Sequence, residues 1–249
     1  MTLDVFSPIL AEERPDIAHL ITEDDTPVDN LPSEKQQRLL VEPLYSSWQP
    51  GRPFLAAANV GIFWSIHEQA IVPDMFLSLD VEVASDWWAP EHRSYFMWEF
   101  GKPPDVVVEI VSNRRGQETG TKLKTYARIG IPYYVIYDPQ GFVQRTPLVV
   151  YELKGGLYHP RPDNRLEGVG LALTLWNGVF EGRLDRWLRW CTLDGALIPT
   201  GAEQAAEERR RAEEERRRAE EEARRAEEER RRAERLAARL RSLGIDPDA

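Results

Sequence analysis

The segment that most constrains the fold of this 249-residue chain runs from Lys102 to Pro139, with the sequence KPPDVVVEIVSNRRGQETGTKLKTYARIGIPYYVIYDP. Residues 106–111 form an apolar run, which is typical of a strand covered on both faces. One acid, Glu109, interrupts this run. A buried carboxylate is costly unless it is paired with a cation, protonated or bound to a metal. A salt bridge to a neighbouring Lys or Arg is the simplest interpretation, and metal binding is the alternative.

The rest of this segment predicts a helix and a second buried strand. The helix is expected over residues 118–129, with Gly130 as the left-handed residue that ends it. The second strand is expected over residues 133–137. A strand, helix and strand of this length form a right-handed crossover, so the two strands should pair in parallel. The segment therefore predicts an α/β fold with a mixed sheet.

The elements before this segment are read from capping and periodicity. Ser33 and Gln36 match a capping box, which predicts a helix from about Glu34 to Trp48. Segments 54–59 and 60–65 are consistent with a β-hairpin, and a strand over 71–77 follows, with Pro73 and Asp74 near its start. The loop at 84–101 is rich in large aromatic residues and is expected to pack over the core as a lid, with the mouth of a site as the alternative.

The elements after the segment are β-structure and one long helix. A hairpin is predicted over 148–160 around Gly155-Gly156, and smaller β segments at 171–176 and 184–191, with a turn at Asn177-Gly178. A charged helix is predicted from Thr200 to about Ser242. Its alanines recur every seven residues among Glu and Arg, which favours a solvated single helix over a coiled-coil dimer.

These elements divide the chain into three regions. Residues 1–31 are a polar, extended lead-in, residues 32–199 are the folded domain, and residues 200–249 are the helix. The apolar patch of the helix consists of Leu236, Leu240 and Leu243, where a protein partner could bind.

Composition limits the kinds of site and of partner. The chain has one cysteine, Cys191, which excludes an internal disulfide and a cysteine zinc site. It has no membrane-length apolar run and no signal peptide at its N-terminus, so we expect a cytoplasmic protein that does not bind membranes. Residues 1–200 carry 18 basic and 27 acidic side chains, a net charge of −9. Such a domain binds nucleic acid only where metal ions and a local basic patch supply positive potential.

Three residues combine into a chemically meaningful set. Asp74 and Glu109 belong to neighbouring predicted strands, and Lys122 lies on the crossover helix. Two carboxylates hold a hard divalent cation, and the lysine orients the nucleophile or stabilises the transition state. The set is what metal-dependent phosphodiester cleavage requires, although the spacing alone leaves structural salt bridges open.

Three stretches carry a family resemblance: VPD at 72–74, PPDVVVEIVS at 103–112 and GTKLKTYARIGIPYYVIYDP at 120–139. They resemble the PD-(D/E)xK nuclease superfamily and, within it, the Uma-two family of restriction-endonuclease-like proteins. The similarity covers roughly residues 30 to 190. It implies a restriction-endonuclease-like α-β-β-β-α-β core with a mixed sheet, extra β-hairpins and a long C-terminal charged helix. It also implies hydrolysis of DNA with Mg²⁺ or Mn²⁺.

The resemblance assigns roles to particular residues. Asp74 and Glu109 would be the metal ligands. Val111 stands where the superfamily pattern has its lysine, so the role passes to Lys122 on the helix, with Lys124 as the competing assignment. Glu34 matches an acid that the superfamily often carries on its first helix, although an exposed acid is also favoured near any helix N-terminus.

Basic residues near this site suggest how nucleic acid would be bound, and an ordinary solvated loop and helix face is the alternative. The candidates are Arg114, Arg115, Lys124 and Arg128. The rival function is a catalytically degenerate nuclease fold that acts as a protein-interaction module through its C-terminal helix. A homodimer and a choice of RNA over DNA stay open at this stage.

Overall fold

The computed structural model describes residues 30–112 and 120–242, with Leu240 as backbone only. Two compact units are present, residues 1–200 and residues 201–249. The predicted lead-in lies outside the described residues up to position 29.

Among the described residues, the first unit contains three α-helices, one short 3-10 helix at Pro90–His92 and eleven strands, and the second unit contains one α-helix. The helices are α1 (Leu31–Ser46), α2 (Met97–Phe100), α3 (Thr121–Ile129) and α4 (Gly201–Ser242). The strands are β1 (Phe54–Ala57), β2 (Ile62–Phe63), β3 (Met75–Leu79), β4 (Tyr95–Phe96), β5 (Val106–Ile110), β6 (Tyr133–Tyr137), β7 (Leu148–Lys154), β8 (Leu157–Pro160), β9 (Arg165–Leu166), β10 (Leu171–Phe180) and β11 (Arg183–Thr192).

The central sheet has six strands in the order β1-β3-β5-β6-β7-β8. Strands β5 and β6 are parallel and are joined through α3, whereas the other neighbours in this sheet are antiparallel. The predicted parallel pairing through a helix is therefore confirmed, and Gly130 ends α3 in the left-handed region with φ of 91°. The series α1, β1, β3, β5, α3, β6 gives the α-β-β-β-α-β core that the resemblance implies, with β2, β4 and α2 inserted.

Each face of the central sheet has its own core, because successive side chains of a strand point to opposite faces. On one face, side chains such as Val106 and Val108 pack with α1 and with a second, three-stranded sheet of β9, β10 and β11. On the other face, Val107 packs with Tyr126 of α3 and with Tyr95 of β4. Both faces of β5 are thus covered, which explains its continuous apolar sequence.

Helix α1 is bound to β11 along its length. The side-chain amide of Gln36 donates to the Leu188 carbonyl at 2.8 Å and accepts the Leu188 N–H at 2.9 Å. The Trp190 indole N–H donates to the Leu40 carbonyl at 2.8 Å. These contacts fix α1 between the second sheet and the central sheet.

One predicted helix boundary and one predicted strand pairing were wrong for identifiable reasons. Helix α1 begins at Leu31 rather than Glu34, because Asn30 is the N-cap and its side chain accepts the Ser33 N–H at 3.1 Å. Segments 54–59 and 60–65 do not form a hairpin with each other, since β1 pairs with β3 and β2 pairs in parallel with β4.

The predicted turn at Asn177-Gly178 was also wrong. Both residues lie inside β10, which pairs with β11 over ten residues of each strand. The turn lies at Glu181-Gly182, where φ is 45° and 76°. Positive φ at both central residues is the requirement of a type I′ hairpin turn. The long ladder between the strands outweighs the local turn preference of Asn-Gly.

The aromatic loop is part core and part surface. Tyr95 and Phe96 are buried, as expected for a segment that packs over the core. Trp87 and Trp88 are 60% and 73% exposed and pack edge to face against each other. The predicted cover over the core is therefore formed by the later half of the loop.

The described part of the second unit is the long helix α4, which confirms the predicted charged helix as far as Ser242, the last described residue. Arg and Glu side chains pair along it at helical spacing, for example Arg211 with Glu207 at 2.8 Å and Arg210 with Glu214 at 3.0 Å. Of the predicted apolar patch, Leu236 is 55% exposed, while the Leu240 side chain and Leu243 lie outside the described part. Within the described residues, no helix is both long enough and apolar enough to cross a membrane.

Candidate active site

Strand pairing places Asp74 opposite Glu109. Met75 of β3 is the antiparallel partner of Val108 of β5, and one further step in this register brings Asp74 to Glu109. The backbone N–H of Ile110 donates to Asp74 Oδ2 at 2.5 Å. Directly opposed residues of an antiparallel pair lie on the same face of the sheet. The two predicted carboxylates therefore meet at one end of the β3–β5 pair.

Glu109 is almost completely buried, with 1% of its side chain exposed. Lys122 Nζ lies 2.7 Å from Oε2, and the Tyr126 hydroxyl donates to Oε1 at 2.6 Å. Lys122 and Tyr126 are four residues apart on α3, so both point to the same side of the helix. One face of α3 thus supplies a cation and a hydrogen-bond donor to the buried carboxylate.

Tyr126 is held in its protonated form. Burial raises the pKa of its hydroxyl well above the ordinary value, and the negative charge of Glu109 raises it further. Because the hydroxyl keeps its proton, it remains a donor to Glu109 over the whole range of pH in which a protein of this kind works.

The side chain of Asp74 is oriented from α1. Gln37 donates its side-chain amide to Asp74 Oδ1 at 3.2 Å. Gln37 and Asn59 also form a reciprocal amide pair, at 2.9 Å and 3.3 Å. Gln37 is buried, so this arrangement is shielded from water. Together with the Ile110 N–H, it gives each oxygen of Asp74 its own donor.

The structure does not bring every predicted residue to this point. Glu34 forms an ion pair with Arg38 at 2.8 Å on the exposed side of α1. The α1 side chain that contacts Asp74 is Gln37, three residues further along. Gln37, Asn59 and the hydroxyl of Tyr126 were not predicted as residues of the site. A polar Gln just before the apolar positions of α1, and a Tyr four residues after Lys122, are the signals that were available.

The basic residues around the site are differently placed. Lys124 is exposed on α3, whereas Lys122 contacts Glu109. Arg128 lies 3.4 Å from Glu68 and above the ring of Trp64. Arg114 and Arg115 fall outside the described residues.

Two other acids, at the ends of β5 and β6, have structural roles. Asp105 precedes β5 and accepts hydrogen bonds from Lys102 Nζ at 2.5 Å and from the Leu79 N–H at 2.7 Å. Asp138 follows β6 and accepts the N–H groups of Val143 and two neighbouring residues. Burial raises the pKa of Asp138, but the backbone donors outweigh it and hold the pKa below its usual range. Neither acid lies opposite a second carboxylate in the strand register.

The donor set at Asp74 and Glu109 suits a hard divalent cation. Among the described residues, no group of three or more His, Cys, Asp or Glu side chains could hold a metal ion. Mg²⁺ needs fewer protein ligands, because it keeps several of its waters and is typically bound through one or two carboxylates. Oxygen donors without His or thiolate also fit Mg²⁺ or Mn²⁺ better than zinc. Asp74 and Glu109 are the residues that would hold such an ion.

The chain was compared with curated proteins and with solved structures. A search of the curated proteins finds no match. Among solved structures, one similar chain comes from Anabaena variabilis ATCC 29413 and is described as "a putative nuclease belonging to DUF820". The two chains are 18% identical, the similarity covers 55% of this chain and 71% of the other, and the TM-score is 0.39.

Protein families give a match over the greater part of the chain. Residues 14–176 match the Uma2 family, which is described as "Putative restriction endonuclease". These residues include Asp74, Glu109 and Lys122 and all six elements of the α-β-β-β-α-β core. Because the match covers more than half of this chain, the chain belongs to the Uma2 family.

Proposed function

We propose that the protein is an endonuclease that hydrolyses DNA phosphodiester bonds with the help of Mg²⁺ or Mn²⁺. The observation that carries the proposal is that Asp74, just before β3, and Glu109 of β5 lie at the same end of the β3–β5 pair, with Lys122 in contact with Glu109. Membership of a family described by restriction endonuclease activity supports the same reaction class. The cytoplasmic location and a homodimer stay predictions of the sequence.

Asp74 and Glu109 are the proposed metal ligands. When bound, the divalent ion would activate a water molecule and neutralise charge on the scissile phosphate. The protein contributes by fixing the direction of each carboxylate before the substrate arrives. Gln37 and the Ile110 N–H hold the two oxygens of Asp74, and Tyr126 holds one oxygen of Glu109.

Lys122 is the proposed catalytic lysine. Its ammonium contacts the buried Glu109 and its side chain is 29% exposed, so Lys122 lies between that carboxylate and the solvent from which a substrate would approach. An ammonium on a flexible stem can orient the attacking water or stabilise negative charge on the phosphate. In this position the lysine performs from α3 the role that the superfamily pattern gives to the strand position of Val111.

The test is a cleavage assay on plasmid DNA, single-stranded DNA and RNA, each with Mg²⁺, Mn²⁺ or EDTA. We expect cleavage of DNA that needs the metal and is abolished by Asp74→Ala and by Glu109→Ala. Asp105→Asn is the matched control, because Asp105 is also a lysine-paired acid next to β5 but lies at its other end.

Two outcomes would contradict the proposal. Cleavage that survives both substitutions would show that the reaction occurs elsewhere. No cleavage of any substrate, together with no binding of Mg²⁺ by calorimetry, would instead favour a degenerate nuclease fold that binds a protein partner through its C-terminal helix.

A further inference from the structure

A cavity of about 200 Å³ lies at the carboxyl ends of β5 and β6, between the start of α1 and β11. Ile110 and Val111, the two residues after Glu109, form part of its wall. Ile110 also donates its backbone N–H to Asp74, so the cavity and the candidate active site share one stretch of backbone. The first turn of α1, Tyr137 of β6 and the start of β11 complete the wall.

Two arginines of β11 give the cavity its positive charge. Arg183 is 3.6 Å from Asp185, which offsets part of its charge. Arg186 makes one long hydrogen bond, at 3.4 Å, to the Pro139 carbonyl. In residues 30–112 and 120–242, no carboxylate forms an ion pair with the Arg186 guanidinium. Its side chain is exposed at the cavity and retains most of its donors for a ligand.

The start of α1 also lines the cavity but does not supply the positive charge. Asn30 accepts the Ser33 N–H with its side chain and the Glu34 N–H with its carbonyl. Pro32 has no N–H to offer. Since Pro32 has no N–H and those of Ser33 and Glu34 are bound to Asn30, an anion in the cavity would depend mainly on the arginines.

We propose that this cavity is a phosphate subsite, in which Arg186 binds a phosphodiester group of the DNA strand next to the bond that is cleaved. The inference rests on the proposed function, because it assumes a nucleic-acid substrate at Asp74 and Glu109. The planar guanidinium matches the oxygens of a phosphate in a two-pronged arrangement. The volume corresponds to roughly seven water molecules, which admits a phosphate group but not a duplex. The subsite would therefore bind the backbone of a single strand.

The test measures binding without cleavage, by fluorescence anisotropy of a labelled oligonucleotide in EDTA at several salt concentrations. For Arg186→Gln we expect binding about tenfold weaker. The slope of log K against log salt should fall by about 1, because one phosphate contact is lost. Arg186→Lys keeps a charge and should largely restore the slope. The variants should fold, because Tyr137 binds the backbone carbonyl of Arg186 and not its side chain.

The matched control is Arg52→Gln. Arg52 is an exposed arginine that pairs with Asp80 just after the end of β3, at the end of that strand opposite to Asp74. We expect no change in affinity or in salt slope for this variant. An equal loss in Arg52→Gln and Arg186→Gln would overturn the subsite, because the effect would then be one of general charge.

Separate outcomes distinguish this inference from the proposed function. Wild-type cleavage of DNA with unchanged binding by Arg186→Gln would overturn the subsite and leave the endonuclease in place. Arg186-dependent DNA binding without cleavage under any metal would support the subsite and contradict the endonuclease. Inorganic phosphate and a mononucleotide are tested as competitors of the oligonucleotide. If they bind through Arg186 while DNA does not bind, the phosphodiester assignment is overturned.

Discussion

Replacement of Glu109 by Gln distinguishes a metal ligand from a structural salt bridge, because the two roles predict different energetic costs. Gln has the same size, and its carbonyl can accept the hydrogen bond that Tyr126 now donates at 2.6 Å. Loss of one partner from a fully buried ion pair costs about 3–5 kcal/mol, since the other charge stays buried. Lys122 is 29% exposed and can turn to water. We therefore expect Glu109→Gln to lower the free energy of unfolding by no more than about 1.5 kcal/mol.

The metal response of the same variant should change much more. At a Mg²⁺ concentration 100 times the dissociation constant, binding raises the free energy of unfolding by about 2.7 kcal/mol. Glu109→Gln removes a proposed ligand, so we expect little or no increase at that concentration, together with loss of cleavage. The measurement is urea denaturation followed by tryptophan fluorescence, with MgCl₂ or with EDTA.

Asp105→Asn is the control both for the free energy of unfolding and for its increase with Mg²⁺. Asp105 is also paired with a lysine and also holds a backbone N–H, but it precedes β5 instead of ending it. We expect it to lower stability while the Mg²⁺ increment stays as in the wild type. A loss of 3 kcal/mol or more for Glu109→Gln, with the Mg²⁺ increment intact, would refute the metal-ligand role and leave a structural salt bridge.

Three further predictions concern the neighbours of the two carboxylates. Lys122→Ala should lower kcat more than about 100-fold, whereas the kcat of Lys124→Ala should stay close to that of the wild type. Equal effects of the two substitutions in a cleavage assay at saturating Mg²⁺ would contradict the assignment of Lys122 as the catalytic lysine. Gln37→Ala releases one oxygen of Asp74 and should raise the Mg²⁺ concentration for half-maximal cleavage about tenfold; an unchanged metal titration would argue against orientation by Gln37. Burial, and then the charge of Glu109, raise the pKa of Tyr126 in the folded chain. Above about pH 10 the unfolded chain therefore releases a proton that the folded chain keeps, so the free energy of unfolding falls as pH rises. Tyr126→Phe should reduce this slope by up to about 1.4 kcal/mol per pH unit in urea titrations, and an identical slope would contradict a raised pKa.

The centre of the fold was predictable because its signals are local and strong. Strands β5 and β6 are covered on both faces and read as continuous apolar runs. Gly130 marks the end of α3, since glycine adopts the left-handed conformation at no steric cost. From these elements the parallel pairing follows, and with it the end of the sheet at which Glu109 lies.

The details that failed depend on contacts between distant parts of the chain. Asn177-Gly178 is a strong turn signal, but the pairing of β10 with β11 extends past it to Glu181-Gly182. The contact of Gln37 with Asp74 joins residues 37 positions apart, and no local pattern in α1 indicates it. Burial of a neutral amide against a carboxylate becomes visible only when both elements are packed.

The attachment of α1 to β11 has a consequence for where the chain can be shortened. The family match ends at residue 176, in the middle of β10, so β11 lies beyond it. A chain cut at that boundary would lose Leu188 and Trp190, and with them the anchors of Gln36 and Leu40. Gln37, the next residue after Gln36, would then no longer be held against Asp74. A fragment that keeps the site intact must therefore include β11, which ends at Thr192.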